Sequence, residues 1–182
     1  MKLEYETNRL FLRICNEEYT SELLRFQNDN RDFFARWEPK RRENFYSLDF
    51  QKQVLYAEFQ ASLKGTYLRY YLFLKEDPDT IVGTVSFSHI SLGEDKSCHV
   101  GYKLDASYVG CGYAKEALQF LLAELHKDLH IHRVEADIMP QNLPSIRLIE
   151  SLGFTKEGIA HSSHEINGVW EDHLRYALIY HT

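Results

Sequence analysis

Tyr108-Val109-Gly110-Cys111-Gly112-Tyr113-Ala114 joins a segment of strand-like alternation to a run of helical periodicity. Two glycines at such a junction let backbone N–H groups approach an anion that side chains would hold off, and the helix N-terminus that follows adds a favourable field. The stretch therefore reads as a cradle for a pyrophosphate. A strand-to-helix loop that binds nothing has the same local composition, so the reading depends on what surrounds it. The Gly-x-x-x-x-Gly-Lys-[Ser/Thr] pattern of a nucleotide P-loop is missing. The stretch also follows several strands, whereas the loop of a dinucleotide fold occupies the first strand-to-helix turn.

Upstream, residues 67–75, 81–92 and 97–104 are rich in β-branched and aromatic residues. The first two are separated by the turn-forming Glu76-Asp77-Pro78-Asp79, and together the three predict an antiparallel meander. Residues 9–14 alternate like a strand, and 17–27 set Leu23, Leu24 and Phe26 among charges like an amphipathic helix. Between Ser47, an N-cap, and Gly65, a stop, Phe50, Val54, Leu55, Phe59 and Leu63 recur at helical spacing. Downstream, 113–127 is helical by periodicity and 133–139 is a strand. Residues 142–151 form a short helix capped by Asn142, with Pro144 in its first turn. Residues 154–166 and 169–180 flank Asn167-Gly168, a pair that favours a tight type I′ hairpin turn. The sum is an α/β (α+β) chain of about seven strands in a mixed, mainly antiparallel sheet with helices on both faces.

No repeat or low-complexity linker divides the 182 residues, so one domain spanning 1–182 is expected. Apolar residues make up 44% and no apolar run approaches the ~20 needed to span a bilayer, so no membrane partner is expected. Acids at Glu4 and Glu6 occupy the place of a secretory leader's apolar stretch, which points to the cytoplasm. Cys15, Cys98 and Cys111 are odd in number and widely spaced, and read as reduced thiols. The net charge of −6 disfavours direct nucleic-acid binding and favours cationic amines or basic peptide ends.

Val100-Gly101-Tyr102-Lys103-Leu104 followed by Gly110-Cys111-Gly112-Tyr113-Ala114-Lys115-Glu116-Ala117 resembles motif A of the GNAT superfamily of N-acetyltransferases. Asn142-Leu143-Pro144-Ser145, with Leu152-Gly153-Phe154 at a fixed distance, resembles motif B of its Rim branch, the ribosomal-protein-alanine/serine N-acetyltransferases. Thr7-Asn8-Arg9-Leu10-Phe11-Leu12-Arg13 and the segment from Asn30 to Pro39 are similar to that branch's opening strand and acceptor side. The likeness covers nearly the whole chain.

The resemblance implies acetyl-CoA as co-substrate, seated in a slot between splayed strands at 97–104 and 133–139. Pantetheine would lie along Tyr102, Lys103 and Leu104, and the pyrophosphate on Val109, Gly110, Cys111, Gly112, Tyr113 and Ala114; Asn142 would also touch the cofactor, and Ser145 would hydrogen-bond its sulfur. An amine would attack the thioester directly, without an acyl-enzyme. Its acceptor would be the α-amino group of a protein; a polyamine, amino acid or aminoglycoside is the alternative, and a non-catalytic acyl-CoA-binding regulator a third reading. A homodimer is compatible with all of these. Two departures stand out: Val109 replaces the Gln or Arg common at the head of motif A, and Ile149 replaces the Tyr that protonates the departing thiolate in many relatives. The Rim branch offers Ser145 for that task. His99, where Rim-type sequences often carry Glu, is the expected general base, with His89, Glu135, Asp137 and Glu38 as rivals. Trp37 and Glu38 are expected to line the acceptor side.

Nine histidines raise the question of a metal, with His130 and His132 on a shared strand face, and His161 close to His164 in sequence. No third ligand falls at a recognisable spacing, and acyl transfer of this kind needs no metal, so none is expected. Cys111 has no Cys-His-Asn surroundings and is expected to contribute its backbone only.

Overall fold

The computed structural model describes residues 1–180. Eight strands form one sheet in the order β1-β2-β3-β4-β5-β6-β8-β7. They are β1 (Glu4–Glu6), β2 (Leu10–Arg13), β3 (Leu68–Leu74), β4 (Asp77–Ser91), β5 (Ser97–Leu104), β6 (Arg133–Ile138), β7 (Thr155–Ile166) and β8 (Val169–Ile179). The helices are α1 (Thr20–Asp29), α2 (Arg31–Phe34), α3 (Leu48–Leu63), α4 (Tyr113–Leu129) and α5 (Leu143–Ser151). The strand beyond the expected seven is β1, three residues long and too short to leave a period in the sequence. No helix among the described residues is long and apolar enough to cross a membrane.

Two apolar clusters cover the two faces. Ala117, Leu118, Leu121, Leu122 and Leu125 of α4 recur at helical spacing and pack with Ile149 of α5 onto Leu72, Val85, Val100 and Val134. On the opposite face Leu23, Phe26, Phe34 and Leu55 pack with Tyr71, Phe73 and Ile81. β3 is buried on both faces, which explains its unbroken apolar run at Tyr70-Tyr71-Leu72-Phe73-Leu74.

The β3–β4 turn is tighter than expected. Leu74 already pairs with Asp77, so Pro78 enters β4 at an irregular start, where shifts in register tolerate its missing N–H. At Asn167-Gly168 both residues take positive φ, 46° and 86°, as a type I′ turn demands. In α3 only Gln51 and Leu55 are buried. Its apolar residues Phe50 and Val54 instead line an open cleft.

Every neighbouring pair of strands is antiparallel except β5 and β6. Those two pair only at Ser97↔Arg133, Cys98↔Val134 and His99↔Glu135, after which they part. This fork lies in mid-sheet, with α4 and α5 on one face and α1 to α3 on the other.

Candidate active site

The cleft at the fork has a volume of about 990 Å³ and draws its walls from both sides of the sheet. On one side stand Val109, Gly110, Gly112 and Ala114 of the glycine loop with Asn142 and Ser145; along its floor run Gly101, Tyr102, Lys103 and Leu104; on the other side stand Trp37, Glu38 and α3. Residues chosen from three distant stretches of sequence thus share one cavity.

The loop is shaped for an anion. Gly110 and Gly112 take φ of +86° and +81°, a region side-chain-bearing residues rarely adopt, and Gly112 leaves the N-terminus of α4 without any side-chain cap. The first N–H groups of α4 are therefore open to a phosphate, and Lys115 lines the cleft beside them. Asn30, buried, fixes the approach to the loop: its Oδ1 accepts from Ala106 N (2.8 Å) and its Nδ2 donates to Asp105 (2.7 Å).

Arg9, passed over in sequence reading, clamps the loop from outside. It donates to the Cys111 carbonyl (3.0 Å), pairs with Glu116 of α4 (2.7 Å), and lies 4.5 Å over the Tyr113 ring. The signal was present in Thr7-Asn8-Arg9, whose Thr7 hydroxyl also donates to Glu116 (2.6 Å). Nothing local shows that this segment meets residues more than a hundred positions away.

Across the fork, Ser145 Oγ lies 2.6 Å from the Tyr102 hydroxyl, while Asn142 Oδ1 caps α5 by accepting from Ser145 N (3.3 Å). Burial pushes the Tyr102 phenol up to about 12, so it keeps its proton at working pH. Ile149 is fully buried in the core and plays no part in the cleft lining. A phenol is nonetheless present, supplied by β5 rather than by motif B.

On the α1–α3 face, cross-strand pairing sets residues in rows: Ser88 with His99, then Arg69 with Ser86 and Gly101, then Tyr71 with Thr84 and Lys103. Lys103 Nζ donates to Glu38 (2.6 Å) and to Gln27 (3.2 Å), over the Phe34 ring. Burial pulls its ammonium down to about 8, against the opposing pull of Glu38. Burial works to raise the Glu38 carboxyl, but Lys103 and Arg41 outweigh it and hold it below the usual carboxylate range. The Glu38 carbonyl accepts from Asn167 N at the β7–β8 turn (3.2 Å), so the Trp37-Glu38 segment is pinned to both β5 and the hairpin tip.

His99 stands at the fork, but outside the residues lining the cleft. Its Nε2 lies 2.8 Å from Glu135, its Nδ1 4.0 Å from Asp137, and its ring 5.2 Å from that of His89. The four side chains weighed as bases on these strands therefore form one cluster, apart from Glu38. The local charge differs from that of the chain as a whole: five of the seven charged side chains lining the cleft are cationic. Net charge averages over the surface, whereas a ligand meets the local lining.

The family pattern for an acetyltransferase (GNAT) domain matches residues 9–155. The chain belongs to the GNAT family. Its activity is accordingly that of an N-acetyltransferase. The chain is 34% identical over 181 residues to the [ribosomal protein uS5]-alanine N-acetyltransferase of Escherichia coli, covering 97% of this chain and 91% of that one. The crystal structure of the ribosomal-protein-S5-alanine acetyltransferase of Vibrio fischeri superposes with a TM-score of 0.92 at 30% identity, covering 98% and 97% of the two chains. The fold is shared too with Mycobacterium smegmatis RimJ, solved in complex with CoA-disulfide, at a TM-score of 0.86 and 24% identity, over 93% of this chain and 81% of that one.

Proposed function

We propose that this GNAT protein transfers an acetyl group from acetyl-CoA to the α-amino group of a protein N-terminus, of the ribosomal-protein type, in the cytoplasm. The observation that carries the reading is the fork between β5 and β6, with the glycine loop and Ser145 on one side and a separate aromatic-walled lobe on the other. A thioester donor and an amine can then meet from opposite faces. The uncapped α4 N-terminus and Lys115 suit the CoA pyrophosphate, and the unpaired edge of β5 from Gly101 to Leu104 suits its pantetheine amides.

When bound, acetyl-CoA supplies the activated acetyl group. Direct attack fits the residues present, because among the described residues no serine or cysteine at the fork is equipped as a nucleophile. Ser145 has a phenol rather than an imidazole beside it, Cys98 is buried with its thiol pushed up to about 12, and Cys111 is exposed on the loop. Ser145, held by Tyr102 and by the Asn142 cap, donates a hydrogen bond to the sulfur as thiolate develops. The His99–Glu135 pair at the fork receives the acceptor's proton through water, since Glu38 and Glu58 in the lobe are each committed to a cation.

The pairing of Ser145 with Tyr102 favours catalysis over mere acyl-CoA binding. Mass spectrometry of peptides incubated with labelled acetyl-CoA tests the reading: label on an α-amine, with the protein's own mass unchanged during turnover, is expected. Label confined to side-chain amines or small amines would overturn the acceptor assignment, and an acetylated enzyme intermediate would overturn direct attack.

A further inference from the structure

The acceptor lobe is charged in a way the proposed reaction alone does not explain. Lys115 and Arg147 stand with the phosphate loop and α5, where a polyanion is expected, but the far side of the cleft still holds Arg41, Lys103 and Arg69 against Glu38 and Glu58. Neither carboxylate is free. Glu38 lies between Lys103 (2.6 Å) and Arg41 (3.0 Å), and Glu58 between Arg69 (2.7 Å) and the Tyr71 hydroxyl (2.8 Å). A polycationic acceptor would find no unpaired carboxylate among these lining groups.

Arg69, by contrast, has capacity left. Its Nε is buried without a partner, and a guanidinium offers five donors in a fixed fork. The Nε itself is sealed from the cleft, but a quarter of the side chain is exposed and lines it, so an arriving carboxylate meets the outer N–H groups of the guanidinium. Position supports the same conclusion. Arg69, Ser86 and Gly101 form one cross-strand row, and Gly101 is the first residue on this face beyond the last β5–β6 pair. Two strand spacings, roughly 10 Å, separate the Arg69 backbone from the mouth of the slot. A peptide whose α-amine enters the slot can therefore reach Arg69 with an acidic side chain of its first or second residue.

We propose that Arg69 is a specificity residue that binds a carboxylate of the acceptor, so that the enzyme selects acidic N-terminal segments and rejects basic ones. This rests on the reading of the cleft as a peptide-amine site and narrows it. The test is a set of synthetic peptides that differ only in carrying Glu, Gln or Lys at residue 1 or residue 2, assayed for kcat/KM with labelled acetyl-CoA. A charge-assisted bond predicts that Glu exceeds Gln by about ten- to a hundredfold at one of the two positions, mainly through KM, with Lys lowest. In Arg69→Met the Glu-to-Gln ratio should collapse towards one, and Arg69→Lys should keep part of it. Should the lone Arg69→Met chain fail to fold because Glu58 is left unpaired, Glu58→Gln/Arg69→Met serves instead. Equal kcat/KM for Glu and Gln peptides at both positions in the unmodified enzyme overturns the proposal while leaving the acetyltransferase reading intact. Absence of transfer to every peptide, with acetyl-CoA binding seen by calorimetry, overturns the peptide-acceptor reading and this proposal with it.

Discussion

Replacing Ser145 with Ala removes the one hydroxyl that joins α5 to Tyr102 across the fork, and the structure sets how large the effect should be. The lost group is 2.6 Å from the Tyr102 oxygen, and Tyr102 still has the Ser145 carbonyl at 3.2 Å, so the phenol is not orphaned. The stability cost should stay within the ~0.5–1.5 kcal/mol of an ordinary hydrogen bond, and the Asn142 cap, which accepts from a backbone N–H, is untouched. On the proposed mechanism the bond is made in turnover to a developing thiolate, worth about 1.5–3 kcal/mol as a charged hydrogen bond, which converts to a kcat lower by about ten- to a hundredfold. Affinity for acetyl-CoA should hardly change, because the thioester sulfur carries no such charge in the ground state. Tyr102→Phe should cost less than Ser145→Ala, and the double variant should fall short of the sum, since both changes break one unit. Steady-state kinetics at saturating acceptor, with calorimetry for CoA, reads both quantities. A folded Ser145→Ala enzyme with kcat within twofold of the parent would refute the reasoning and leave Ser145 as a helix-start residue.

Gly112→Asp forces a side chain into φ +81° and sets its Cβ 3.4 Å from Arg9 Nη2, against the clamp that holds the glycine loop, so calorimetry should find CoA binding lost in a folded protein. Lys103 has its ammonium lowered from 10.5 to about 8, so between those values the unfolded chain holds more protons. Stability should therefore rise with pH across that window on this group's account, and in Lys103→Met the slope of unfolding free energy against pH should flatten. If His99 takes the acceptor's proton, kcat/KM should show an acidic limb that disappears or moves in His99→Gln, measured with the same amine. An unchanged limb would pass the role to another member of the fork cluster.

The elements were largely legible because each carries its own local signal. Asn142 and Pro144 mark the start of α5, the β5 bounds of 97–104 were read without error, and Asn167-Gly168 specifies its turn. What failed locally failed for physical reasons. Three residues of β1 hold too few alternations to be read, and the β3–β4 turn is set by pairing of Leu74 with Asp77 rather than by the turn residues that follow. In α3 the apolar spacing marks a helix without saying what it faces: Leu55 is buried, yet Phe50 and Val54 line a cavity, and periodicity cannot tell a core from a cleft.

The two sides of the site differ in legibility because they are built differently. The proposed donor side is made mostly of contiguous backbone, the glycine loop and the free edge of β5, so residues near in sequence are near in space and a motif records them. The proposed acceptor side is made of side chains from α1 to α3 and from rows that cross β3, β4 and β5. Arg69, Ser86 and Gly101 meet only because the sheet pairs them, and Lys103 meets Glu38 across 65 positions. The same holds for Tyr102, whose strand position pointed to its backbone and whose hydroxyl acquires a role only once α5 brings Ser145 to it. A GNAT chain can therefore keep its donor motif while substitutions scattered along the sheet rows retune the acceptor, which is why the charge of the lining, and not that of the chain, must be read to decide what amine enters.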